Sequence, residues 1–234
     1  MLLVMSPMCK AFSALQNLSK DSEKYRATLE EGVAHLKFCM KMAKAQLEAG
    51  RYFLYEHPWS AWSWKLKPVL EVKELPGVML VEGHQCAYGQ ASQDPDGQMR
   101  LAKKPTGWLT NCLCIAAALS KRCANESLPE AQHHRHASLM QGRASACERY
   151  PPKLVSAVLK ALRCQLVLDG AVGALEVGLT VEEPEVFPVA AAGGKNADVW
   201  DRLSGQLLYG DGVHKTRGGD GLHEDVEGLR VRDT

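Results

Sequence analysis

A cysteine and a carboxylate set just beyond the ends of two strands of one open sheet can work on a single bound substrate, the first as nucleophile and the second as acid or base. Such a pair is offered by Cys9, in the run Ser6-Pro7-Met8-Cys9-Lys10-Ala11-Phe12-Ser13, and by Glu56, in Glu56-His57-Pro58. The run Gly83-His84-Gln85-Cys86-Ala87-Tyr88-Gly89 holds the same kind of position after a third apolar stretch. Spacing alone is a weak signal, because a buried thiol under a loop and a carboxylate capping a turn look the same in sequence. Cys112, Cys114, Cys123, His133, His134 and His136 invite a zinc site. Cys-x-Cys and His-x-His are not the usual finger spacings, however, so these read first as loop residues and no metal is assigned. Trp59, Trp62 and Trp64 could stack on bases but read first as a packed corner.

The elements that must position these groups follow from periodicity. Leu2-Leu3-Val4-Met5 is a short apolar run stopped by Ser6-Pro7, as in a buried parallel strand entering a loop. Residues 22–49 carry Leu29, Val33, Leu36, Met40, Ala43 and Leu47 at spacings of three and four, which predicts a long helix stopped by Gly50. Tyr52-Phe53-Leu54-Tyr55 predicts a second strand, residues 67–75 a short helix, and Val78-Met79-Leu80-Val81 a third strand. This alternation is the pattern of a parallel sheet with helical crossovers. Beyond it, residues 89–97 read as a polar turn region, 107–110 as a strand, 111–122 as a helix and 125–143 as a histidine-bearing loop. Pro151-Pro152 opens a helix to about Leu168, with Leu154, Val155, Val158, Leu159 and Leu162 inward.

Composition narrows the class. The 234 residues carry 28 Lys+Arg and 27 Asp+Glu, a formal net charge of +1, so bulk charge recommends neither nucleic acid nor membrane, and DNA binding would need a local patch. No stretch approaches the ~20 apolar residues of a membrane span. The eight cysteines follow no secretory signal and read as reduced thiols of an intracellular protein, nuclear or cytoplasmic. Six glycines between Gly210 and Gly228, with mixed charge, predict a disordered tail.

Four elements in order carry a resemblance. Ser-Pro-Met-Cys-Lys-Ala-Phe-Ser at residues 6–13 resembles the Pro-Pro-Cys-x-x-Phe-Ser motif of cytosine-5 DNA methyltransferases, and Phe-Leu-Tyr-Glu-His-Pro at 53–58 resembles their Glu-Asn-Val or Glu-Asn-Pro element. Gln85-Cys86-Ala87-Tyr88-Gly89, followed by Lys103-Lys104-Pro105-Thr106-Gly107-Trp108-Leu109-Thr110-Asn111, is similar to a Tyr-Cys-x-Tyr-Gly, Arg-Lys-Pro-Thr, Thr-Asn pattern of viral and phage-type members. Arg149-Tyr150-Pro151-Pro152-Lys153-Leu154 resembles their final Tyr-Pro-x-x-Leu element. The resemblance implies chemistry on a flipped cytosine, with Cys9 attacking C6, Glu56 holding or protonating N3, and C5 taking a methyl group from S-adenosylmethionine. Lys103 or Lys104 would stand near the base, and Ser6, Pro7, Phe12, Ser13, His57, Pro58, Gln85, Tyr88 and Thr106 would complete the substrate site.

The sequence departs from that pattern in three places. Met8 stands where the family has a second proline, and His57 where it has asparagine. No glycine-rich turn with its following acidic residue precedes the cysteine strand, so no cofactor is expected in this chain and S-adenosylmethionine belongs to an intact relative. Asp198-Val199-Trp200-Asp201-Arg202-Leu203-Ser204-Gly205-Gln206-Leu207-Leu208 resembles a Trp-Asp-x-x-Ser-Gly segment of copia-type retroelement polyproteins. The expected fold is therefore α/β, a partial Rossmann-like doubly wound sheet over residues 1–168 lacking the strands that would precede Leu2, with a linker or tail over 169–234. The expected function is a degenerate methyltransferase-like piece of a retroelement polyprotein, inactive alone, with DNA as the candidate partner. The alternatives are a nucleic-acid-binding module without catalysis and a zinc-stabilised interaction domain around residues 112–136.

Overall fold

The computed structural model describes residues 1–13, 23–140 and 143–172. Of the tail expected over 169–234, residues 173–234, with the segment 198–208, lie outside the described residues. The element order is β1 (Leu2–Met5), α1 (Glu23–Glu48), β2 (Tyr52–Pro58), α2 (Lys67–Lys73), β3 (Met79–His84), β4 (Ala91–Gln93), β5 (Met99–Leu101), β6 (Pro105–Thr110), α3 (Leu113–Leu119) and α4 (Pro152–Leu168). Short 3₁₀ turns at Lys10–Phe12 and Gln85–Tyr88 follow β1 and β3.

The chain is mixed α/β around a four-stranded sheet in the order β1-β2-β6-β3. β1 pairs parallel with β2, while β6 runs antiparallel to both β2 and β3. β1, β2 and β3 thus share one direction, as their strand-helix alternation predicts, but β2 and β3 do not touch, because the reversed β6 is inserted between them. A two-stranded ribbon of β4 and β5 fills the polar stretch expected to be turns only. Both faces of the sheet are covered, which explains why its strands read as continuous apolar runs.

On one face, α1 and α2 pack Leu36, Met40, Ala43, Val69 and Val72 onto Phe53, Tyr55 and Leu109. On the other, α3 and α4 pack Ile115, Leu119, Leu154 and Val158 onto Leu54, Val81 and Trp108. The inward stripe of α4 is Leu154, Val158 and Ala161, whereas Val155 and Leu159 are exposed, so the expected five-residue stripe is too wide. β1 forms an open edge: Val4 and, beside it on α1, Phe38 are exposed. A cleft of about 290 Å³ lies there, lined by residues including Leu3, Met5, His35 and Met42. Among the described residues no helix is long and apolar enough to cross a membrane.

Candidate functional site

β2 is three residues longer than its apolar run suggests, so Glu56, His57 and Pro58 lie within the strand and not beyond it. Period-two alternation then sends Glu56 and His57 to opposite faces. Glu56 points toward the α4 side, where Tyr150 and Ser6 meet: Ser6 Oγ is hydrogen-bonded to the Tyr150 hydroxyl. Lys104 Nζ sits 3.7 Å from Glu56 Oε1 and donates to the Cys147 carbonyl at 2.9 Å. Lys104 is the one described non-glycine residue with positive φ, at 33°, a backbone strain that the surrounding contacts must hold.

Cys9 is exposed and precedes the 3₁₀ turn Lys10–Phe12. That turn is anchored by Ala11 and Phe12, both fully buried against α1. Gly32 makes the approach possible, since a Cβ there would lie 3.1 Å from Ala11 Cβ and 3.3 Å from the Phe12 ring.

Electrostatically the site favours neutral forms. Crowding lifts the Cys9 thiol, the charge of Glu56 lifts it further, and Lys104 only partly opposes this. Cys9 is therefore held as a thiol and not as the reactive thiolate. Burial likewise raises Glu56, with Lys104, Ser6 and Tyr150 pulling the other way. A raised carboxyl stabilises the fold below its ordinary pKa, and that contribution is lost as pH rises through the folded value. Burial thus holds the Glu56 proton more tightly than an exposed carboxyl does, and Glu56 Oε1 has no hydrogen-bond partner among the described residues.

The other expected site residues divide. Pro7 is buried beneath the Cys9 loop, and Ser13, half-buried, closes its turn onto the Lys10 carbonyl at 3.4 Å. Gln85 and Thr106 are buried and bonded to each other at 3.0 Å, with Thr106 Oγ1 donating to the Lys104 carbonyl at 3.0 Å. They brace the strained lysine, and alternation along β6 puts Thr106 on the same sheet face as Trp108, the register partner of Glu56. Lys103 turns away to Glu126 at 3.0 Å, and Tyr88 donates its hydroxyl to the Ala118 carbonyl. The Pro58 carbonyl accepts from Trp64 Nε1 at 2.8 Å and Phe12 lies against Trp62, so these two tryptophans are packed, whereas Trp59 is exposed. His57 is fully buried on the α1 face. The structure thus brings together Cys9, Glu56, Ser6 and Lys104, and adds Tyr150, whose motif was legible but whose contact with Ser6 was not.

A second convergence involves Cys86, Cys123, His134 and His136, whose donor atoms all lie within 4.8 Å of one another. Cys112 and Cys114 are instead buried at the start of α3, where Gln165 Oε1 accepts from the Cys114 amide at 3.2 Å. His133 bonds to the Leu128 carbonyl at 2.8 Å. Cys86 was missed as a donor because it is remote from the other three in sequence and follows β3 directly.

No protein-family model, no curated protein and no solved structure matches this chain.

Proposed function

We propose that this chain is the base-binding half of a cytosine-5 DNA methyltransferase-like domain of retroelement origin, which holds a flipped cytosine without methylating it. The observation that carries this reading is the convergence of Cys9, Glu56, Ser6, Lys104 and Tyr150 at one end of β1 and β2. Glu56, when protonated, would match cytosine, whose N3 is an acceptor, and Lys104 beside it suits the base carbonyl or a phosphate. In this reading Cys9, whose thiol feels the charges of Glu56 and Lys104, would face C6 of the same ring. A reversed strand inserted before the last strand of an otherwise parallel run suits a Rossmann-like methyltransferase sheet. In such a sheet, cofactor-binding strands would add at the open edge of β1, beside exposed Val4 and Phe38.

S-adenosylmethionine supplies the methyl group in an intact relative, and the glycine-rich turn that would hold it has no counterpart among these residues. Cys9 as a protonated thiol agrees with a chain that binds a base and does not react with it. Calorimetric titration of the folded chain with S-adenosylmethionine should give no heat of binding, and no methyl group should pass to DNA. Micromolar binding would contradict the half-domain reading and make this an enzyme whose nucleophile is tested by Cys9→Ser.

A further inference from the structure

The Cys86, Cys123, His134 and His136 group comes from three separate parts of the chain. Cys86 lies on the 3₁₀ turn after β3, Cys123 beyond the end of α3, and the two histidines on the loop that runs beside β5. Cys123 Sγ is 3.5 Å from His134 Nε2 and 3.4 Å from His136 Nε2, and the two Nε2 atoms are 2.9 Å apart. A tetrahedral zinc ion with Zn–S near 2.3 Å and Zn–N near 2.05 Å sets S to N edges of about 3.6 Å and an N to N edge of about 3.3 Å. All three separations fall within about 0.4 Å of those edges. We propose that these four residues form a structural zinc site.

The chemistry of the donor set supports this assignment. Two thiolates and two neutral imidazoles balance the charge of Zn²⁺, so the complex is neutral, as a half-buried position requires. Four protein donors leave no open position for water or substrate, which makes the site structural and not catalytic.

The donors are also held in place by contacts that need no ion. Asn125 clamps the His134 backbone from both sides, its Oδ1 accepting from the amide at 3.1 Å and its Nδ2 donating to the carbonyl at 2.8 Å. His136 bridges Leu101 of β5, and the Ala137 amide donates to the Leu101 carbonyl at 2.8 Å. Buried Asp94 accepts from the Ser138 amide at 3.0 Å and pairs with Arg135 at 3.1 Å. The Cys123 amide donates to His84 Nδ1 at 3.0 Å, which places the His84 proton on Nε2, toward Glu82 Oε1 at 3.2 Å. A metal would close a long irregular loop onto the sheet, where loop-closure entropy is otherwise unfavourable. This site stands independently of any role for Cys9 and Glu56.

The test is the metal content of chain purified without chelator, together with its cobalt spectrum. About one zinc per chain is expected, falling to background in Cys123→Ser and His136→Gln and retained in His133→Gln. Because the first two variants can fail to fold, cobalt is titrated into the metal-free wild-type chain. The expected result is tetrahedral ligand-field bands with thiolate charge transfer, and release of roughly two protons per ion as both thiols ionise. A folded wild-type chain without zinc and without a tetrahedral cobalt spectrum would overturn the proposal, as would stoichiometric zinc in folded Cys123→Ser.

Discussion

Gly83→Ala is expected to cost roughly 3 kcal/mol or more and to remove bound zinc in the same step. Gly83 lies on β3 where the strand passes the C-terminal end of α3. A Cβ there would stand 2.0 Å from the Leu119 carbonyl oxygen and 3.1 Å from Trp108 Nε1. The first contact is with backbone at a helix end, so no rotamer change relieves it and the strand must move away from the helix. That movement would separate the two ends that meet just beyond, where the His84 amide donates to the Lys121 carbonyl at 2.8 Å. Cys86 follows one of those ends and Cys123 the other. Urea unfolding should show the loss as a lower midpoint at unchanged slope. A change within about 0.5 kcal/mol, the range of ordinary surface substitutions, would mean that β3 and α3 do not pack this closely.

Acid should weaken the fold through His57, and His57→Phe should abolish that part of the weakening. His57 is fully buried, with neither ring nitrogen bonded to a neighbouring side chain. It stacks on Tyr55 at 5.7 Å and meets Phe12 and Trp64 edge-on at 5.5 and 6.0 Å. Burial in this aromatic box lowers its pKa from 6.5 to about 4. Above pH 6.5 the ring is neutral in both states and costs nothing. Between 6.5 and about 4 the unfolded chain takes up a proton that the folded chain refuses, so stability falls with pH. The loss is about 2 kcal/mol at pH 5 and reaches about 3 kcal/mol near pH 4 and below. Phenylalanine keeps the ring contacts and removes the two unbonded nitrogens, so at pH 7.5 the variant should lie within about 1 kcal/mol of wild type. The raised Glu56 carboxyl is common to both proteins, so its contribution cancels in the difference. Stability curves that stay parallel from pH 7.5 to pH 5 would refute the assignment.

The long elements were legible because their periods were clean. α1 extends over Glu23–Glu48 against an expected 22–49, and α4 over Pro152–Leu168, opened by the expected proline. β6 was legible as a strand, but its insertion between β2 and β3 was not, because pairing across the sheet leaves no trace in local periodicity. β4 and β5 span three residues each, too short for alternation to register. The candidate site was half legible. Cys9 and Glu56 were found by type and motif, yet counting β2 as four residues hid the alternation that sends His57 away from Glu56. In the metal cluster, proximity in sequence misled: Cys112 and Cys114 lie at the start of the wholly apolar helix α3 and are drawn into the core, while the distant Cys86 is brought in by the sheet.

The most direct measurement is fluorescence anisotropy of the folded chain with two duplexes that differ only in one bulged nucleotide, cytosine or thymine, so that no unpairing energy enters. The account predicts tighter binding of bulged cytosine by about fivefold or more, on the order of 1 kcal/mol for one specific base contact. The preference should fade as pH rises through the raised pKa of Glu56. It should become independent of pH in Glu56→Gln, whose amide donates to N3 at any pH, and vanish in Glu56→Ala. Equal binding of the two duplexes at every pH, or a cytosine preference that survives Glu56→Ala, would contradict it.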